Sequence, residues 1–218
     1  MFSHTKLSRH LNGFTLIEVA IVMIIVGLLI SGLIAPLSAQ LDARNYNETR
    51  NTLAEVKEAL IGFALSHAAT DGNPYLPCPD TDGDGRENRN APLCQSDVGS
   101  LPTQDLGLVA TDSWNNQYIY RVAPEFSNST NGFSLVSKGN ITLLNANSGS
   151  NLVIELPALV LSRGKNGAAA AASMDEQENI DADTIFVSHE FTSTFDDLVV
   201  WVSPNVLFNR MVTANRLP

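Results

Sequence analysis

Asn12-Gly13-Phe14-Thr15-Leu16-Ile17-Glu18-Val19 opens a block that continues as AIVMIIVGLLISGLI to residue 34. Residues 14–34 hold 21 positions and a single ionisable side chain, Glu18. Wound as an α-helix at about 1.5 Å per residue, the block reaches roughly 30 Å, the thickness of a bilayer's hydrocarbon core. Lys6 and Arg9 precede it, and the first 13 residues hold no acid. The positive-inside bias then keeps that end cytoplasmic and puts everything after about residue 36 on the other side, in a periplasm-like space. A secretory signal peptide has a shorter apolar stretch, about 7–15 residues, before a small-residue cleavage site. Leu37-Ser38-Ala39 is a mediocre site of that kind. An ordinary anchor explains the length but not Glu18, since a lone carboxylate there costs about 2.5–3.5 kcal/mol on insertion scales and calls for a partner.

The rest of the composition narrows the class. With 218 residues, 44% hydrophobic and 17% charged, the chain suits one medium domain plus an appendage and is not disordered. It carries 13 Lys and Arg against 23 Asp and Glu, a net charge of −10. General nucleic-acid binding needs a basic surface and is not expected. Cys78 and Cys94 are the only cysteines. In an oxidising compartment they most simply pair, and closing the intervening loop contributes about 3 kcal/mol in the chain-entropy model.

The short basic leader, Gly13-Phe14-Thr15-Leu16-Ile17-Glu18 and the apolar helix together resemble the class III leader junction of type IV pilins and type II secretion pseudopilins. The resemblance implies a prepilin peptidase that cuts after Gly13 on the cytoplasmic face and N-methylates Phe14. It implies that Glu18 pairs with the terminal amine of a neighbouring pilin or pseudopilin subunit during assembly at an inner-membrane platform. A carboxylate and an ammonium neutralise each other in hydrocarbon where neither could remain alone. The protein is then a single-pass protein of a bacterial inner membrane, N-terminus cytoplasmic and head periplasmic, and filament-associated after assembly.

Past Pro36, expected to kink the helix, Leu41, Leu53, Val56, Leu60, Phe63 and Ala64 recur at helical spacing to about Ser66. The expected divisions are a leader over 1–13, a transmembrane and polymerisation helix over 14–36, an amphipathic stalk over 37–70 and a globular head over 71–218. Residues 71–104 read as a long loop. Strands are expected at about 118–122, 132–138, 140–144, 152–162, 184–189 and 198–202, with Tyr118, Tyr120 and Val122 facing the stalk. A short helix follows Ser203-Pro204, to about residue 215. The fold class is α+β, a long N-terminal helix packed on an antiparallel sheet, pilin-like.

Two acidic regions raise a cation. Asp80-Thr81-Asp82-Gly83-Asp84-Gly85 has the first half of an EF-hand-type loop, with carboxylates at positions 1, 3 and 5 and a glycine at 6. The twelfth position, Ala91, is not the required Glu, so calcium there and a plain Asp/Gly turn both stand. Thr111-Asp112-Ser113-Trp114-Asn115-Asn116-Gln117-Tyr118-Ile119-Tyr120 is similar to a turn-and-strand element of the major pseudopilin. The loop Ser162-Arg163-Gly164-Lys165-Asn166-Gly167 and the segment Phe195-Asp196-Asp197-Leu198-Val199-Val200-Trp201 resemble that protein's calcium-closing elements. The resemblance carries Asp196 and Asp197 over as calcium ligands, with Ser162 as a weaker one. A long acidic insert lies between them, and a merely solvated acidic loop is the alternative.

No nucleophile–base spacing, HExxH or phosphate loop occurs, so the protein is read as a substrate of an enzyme and not an enzyme. The expected function is a pilin-like subunit of a type II secretion pseudopilus, a minor or atypical pseudopilin, in protein transport. The alternatives are a minor pilin of a type IV pilus, and a membrane-anchored ligand-binding module that does not polymerise.

Overall fold

The computed structural model describes residues 13–167, 169 and 171–218, with side chains except over 31–37. The leader expected over 1–13 lies outside these residues apart from Gly13. Helix α1 spans Leu16–Ser66 without interruption at Pro36. Contacts divide the chain into two compact units, Met1–Arg44 and Asn45–Pro218. In the first, every apolar side chain described from Phe14 to Ile30 is exposed. Among the described residues no helix is long and apolar enough to cross a membrane. The apolar block of the sequence is described with its side chains only as far as Ile30.

The second unit begins in the helix, not at residue 71. Leu53, Val56, Leu60 and Ala64 are fully or nearly fully buried. Their spacing of three and four residues puts them on one helical face. Leu41, which the same stripe was expected to include, is half exposed and falls in the first unit. After α1 come β1 (Arg89–Asn90), β2 (Leu93–Cys94), β3 (Val98–Ser100), α2 (Thr103–Leu106), β4 (Ile119–Val122), α3 (Pro124–Ser127), β5 (Ile141–Leu144), β6 (Asn151–Leu156), β7 (Ala158–Ser162), α4 (Met174–Glu178), β8 (Ile185–Val187), β9 (Leu198–Val202) and α5 (Pro204–Thr213).

The strands form three sheets: β1-β2, then β3-β4-β7-β9, all antiparallel, and β6-β5-β8. Alternation sorts the four-stranded sheet into two faces. Tyr118, Tyr120, Val122, Val160 and Val202 meet the helix residues Leu53, Val56 and Leu60 in the main core, with Leu207 and Met211 of α5. Leu159 and Leu161, on the opposite face of β7, pack with Ile141, Leu143, Leu156 and Phe186 of the smaller sheet. Strand β7 is therefore buried on both faces, which explains its unbroken Ala-Leu-Val-Leu run. Burying Leu60 alone contributes about 1.5–3 kcal/mol.

Several expectations need correction. Residues 132–138 form no strand; Ser134 and Ser137 close a turn there, with Phe133 plugging the core beneath. The strand expected over 152–162 is two, β6 and β7, separated at Pro157, which has no N–H for a ladder. The loop over 71–104 contains three short strands. The smaller sheet is mixed, because β8 returns parallel to β5. Strand β9 and the start of α5 lie where the sequence put them, though Ser203 makes no side-chain cap. Cys78 and Cys94 are joined in a disulfide that closes the loop onto β2.

Candidate functional site

Two places carry chemistry. At the start of α1, Thr15 is the capping residue: its Oγ1 accepts the backbone N–H of Glu18 at 3.3 Å, and its carbonyl accepts that of Val19. Thr-x-x-Glu before an apolar run is a helix-start signature carried by the sequence itself. Its consequence is positional. The Gly13–Phe14 bond lies outside the helix, Phe14 is 82% exposed, and nothing lies within 4 Å of where a side chain on Gly13 would begin. Glu18 is in the first turn, where the unpaired N–H groups of a helix favour negative charge.

The second place is built by sheet register. Ser162, the last residue of β7, pairs with Leu198, the first of β9. The loop after one strand and the loop before the other therefore leave from the same edge. Gly164 adopts φ +59°, and a Cβ there would lie 2.3 Å from the Asp196 carbonyl oxygen. Only glycine permits that approach. The excursion between the strands folds α4 back over this junction. Ser173 caps it by accepting the Glu176 N–H.

One oxygen each of Glu176, Asp196 and Asp197 lies within 4.8 Å of the other two. Glu176 is satisfied: Asn166 Nδ2 donates to both carboxylate oxygens, and the N–H groups of Ala172 and Asp196 donate as well. Asn179 Nδ2 donates to Asp197 Oδ2 at 2.8 Å, while Asn179 also bonds both backbone groups of Val187. The Asn166 N–H donates to Asp196 Oδ2. Asp196 Oδ1 is buried with no hydrogen-bond partner among the described residues. Burial pushes the Asp197 carboxyl up to about 7, with the charges of Glu176 and Asp196 adding to the effect and the Asn179 bond opposing it. Burial raises Asp196 too.

Three hard oxygen donors, one of them the unpartnered Asp196 Oδ1 and one on the buried Asp197, fit a cation such as calcium. Asp196 and Asp197 were carried over from the resemblance. Glu176, Asn166 and Asn179 were not, because Glu176 belongs to the insert and the two amides act behind the carboxylates. Ser162 is no ligand in this arrangement. Its hydroxyl donates to Asp112 Oδ2 at 2.6 Å. Asp112 Oδ1 accepts the N–H groups of Trp114 and Asn116, and Asn116 Nδ2 donates to the Gly164 carbonyl at 2.6 Å. Thus the Trp114 turn and the 162–167 loop are one hydrogen-bonded body. The turn also reaches α1, where Thr49 Oγ1 accepts the Ser113 N–H.

Asp80, Asp82 and Asp84 are also brought within 4.8 Å of one another. Five of their six carboxylate oxygens already accept a hydrogen bond. Asp80 accepts the N–H groups of Asp82, Gly83 and Gly85; Asp82 accepts from Asp84 N and Asn88 Nδ2; Asp84 accepts from Arg86 N. Glu87, the next acid along the loop, accepts the Cys78 N–H and pairs with Arg89 at 2.8 Å. This geometry favours the turn over the cation.

Residues 9–34 match the prokaryotic N-terminal methylation motif, the signal of type IV pilins and pseudopilins, whose family is structural. The motif implies processing by prepilin peptidase, assembly with other pilins and a membrane anchor. No curated protein and no solved structure matches the chain.

Proposed function

We propose that the protein is a subunit of a type II secretion pseudopilus, cut between Gly13 and Phe14, N-methylated on Phe14 and polymerised through its apolar helix. One observation carries the reading: within the matched motif, the Thr15 cap leaves the Gly13–Phe14 bond in non-helical, exposed chain and sets Glu18 one turn into an exposed apolar helix. A peptidase needs an extended, accessible bond, and an amine freed at Phe14 would seek a carboxylate in an apolar phase. Residues 14–36 form the membrane and polymerisation segment, with a periplasmic head and an inner-membrane assembly platform as partner. Calcium held by Asp196, Asp197 and Glu176 would tie the excursion over residues 163–197 to the sheet edge, a structural role.

The choice of pseudopilus rests on the bonds joining the Trp114 turn to the 162–167 loop, both similar to major-pseudopilin elements. A minor pilin of a type IV pilus is the second reading, favoured by the disulfide-closed loop and the excursion that enlarge the head.

Mass spectrometry of the membrane-extracted protein tests processing: a chain beginning at methylated Phe14 is expected, and an intact leader refutes the proposal. Glu18→Ala is expected to be processed yet absent from sheared filaments. A strain lacking the gene should retain folded exoproteins in its periplasm; an unchanged secreted profile with altered surface filaments selects the second reading.

A further inference from the structure

In a chain with 23 acids and 13 bases, unpaired cations on the head are scarce. Arg50 and Lys57 are two of them. They stand seven residues apart on α1, two turns along one face, and neither has an ion pair among the described residues. With Tyr46 they line a cleft of about 400 Å³ whose other wall includes His189, Glu190 and Val199. His189 is engaged by Asp175, and Asp197, which also borders the cleft, by Asn179. Phe191, 62% exposed, meets Tyr46 edge-on at 6.3 Å.

The opposite chemistry sits on α4 and the turn after it. Glu178, Asp181 and Asp183 crowd within 4.8 Å of one another. No Lys or Arg pairs with the three among the described residues. Met174, 74% exposed, and Ile180 flank the acids around a second hollow of about 630 Å³. The helix wall of the cleft thus presents two cations, with the Glu190 carboxylate on the wall opposite, and the second surface presents only acids, each beside uncovered apolar area.

We infer that the cleft of Arg50, Lys57 and Tyr46 is a docking site for the 174–183 segment of a second copy of this chain. Asp181 and Asp183 meet the two cations, and Met174 packs on the Tyr46–Phe191 pair, a favourable sulfur–aromatic contact. Opposite charges desolvated together set register and suppress wrong partners. Two unlike surfaces on one chain let the contact repeat from copy to copy, as a filament requires. The inference rests on the polymerising function proposed above and names the head-to-head contact within it.

Carbodiimide, which joins an amine directly to a carboxylate in contact, tests it on the full-length protein in detergent. Isotope-labelled and unlabelled chains are mixed in equal amounts first. Peptides joining Lys57 to Asp181 or Asp183, with one labelled and one unlabelled half, are expected. Their yield should fall about tenfold in Arg50→Glu; adding Asp181→Lys, which removes the Lys57–Asp181 link, should restore the mixed link from Lys57 to Asp183, since a like-charge contact is replaced by a new pair. Links confined to one isotope, or a yield indifferent to Arg50→Glu, overturn the contact. So does loss of vesicle binding (phosphatidylglycerol) in Arg50→Glu without any mixed link, which makes the cleft a lipid site. Methylated Phe14 with no mixed link refutes the docking and leaves the filament; mixed links in a chain with its leader intact do the reverse.

Discussion

The head has two acidic loops of nearly equal charge, and they are opposites. Around Asp80 the backbone itself supplies the positive partners: three N–H groups converge on one buried carboxylate, and the glycines at 83 and 85, both at positive φ, turn the chain to aim them. Around Asp197 the carboxylates are packed against one another, and Asp196 Oδ1 has no donor among the described residues. Counting acids does not separate the two. Counting donors does: five of the six oxygens in the first loop accept a hydrogen bond, and in the second a buried oxygen accepts none from the described residues.

The sharpest way to break this contrast is Asp80→Ala. Three N–H groups lose a charged acceptor, and stability should drop by about 4 kcal/mol in urea unfolding, equally with calcium and with chelator. A drop that calcium modulates would make the first loop a cation site. Next, Gly164→Ala should cost about 3 kcal/mol, since its Cβ would strike Asp196 and its φ is positive. Gly72→Ala, at a positive φ with open space around it, should cost about 1 kcal/mol by the same denaturation, which isolates the steric part.

Calcium itself comes third. At a hundred times its dissociation constant it should stabilise the wild type by about 2.7 kcal/mol, a rise of several degrees in melting temperature. Asp197→Asn should erase that rise while making the calcium-free protein more stable, because a buried charge is removed. The smallest effect is the most diagnostic. Asn88→Asp replaces the amide that donates to Asp82 with a like charge, and should cost about 1 kcal/mol that calcium restores. That variant would turn the first loop into the second kind.

The same contrast marks what the sequence disclosed. The helix, its end at Ser66, the inward face of β4 and the bounds of β9 follow from local periodicity, which adjacent residues carry among themselves. Asp80, Asp82 and Asp84 were legible as a cluster because they are close along the chain. Their saturation was not, since it depends on where backbone N–H groups point. The second cluster joins residues 166, 176, 179, 196 and 197, and its third carboxylate belongs to an insert for which the resemblance offered no counterpart. The parallel return of β8 and the break at Pro157 likewise depend on the second core of Ile141, Leu156 and Phe186.

One consequence follows from the pairing of Ser162 with Leu198. The two ends of the 163–197 excursion are clamped by neighbouring rungs of a ladder, so their separation does not depend on what lies between. Loop-closure entropy grows only slowly with length, and the exposed parts of the excursion outside α4 and β8 can lengthen or shorten while the sheet keeps its register. The head thus has a socket for variable content beside a constant frame, and a tag inserted after Glu190, in the exposed stretch between β8 and β9, should leave the folded core intact.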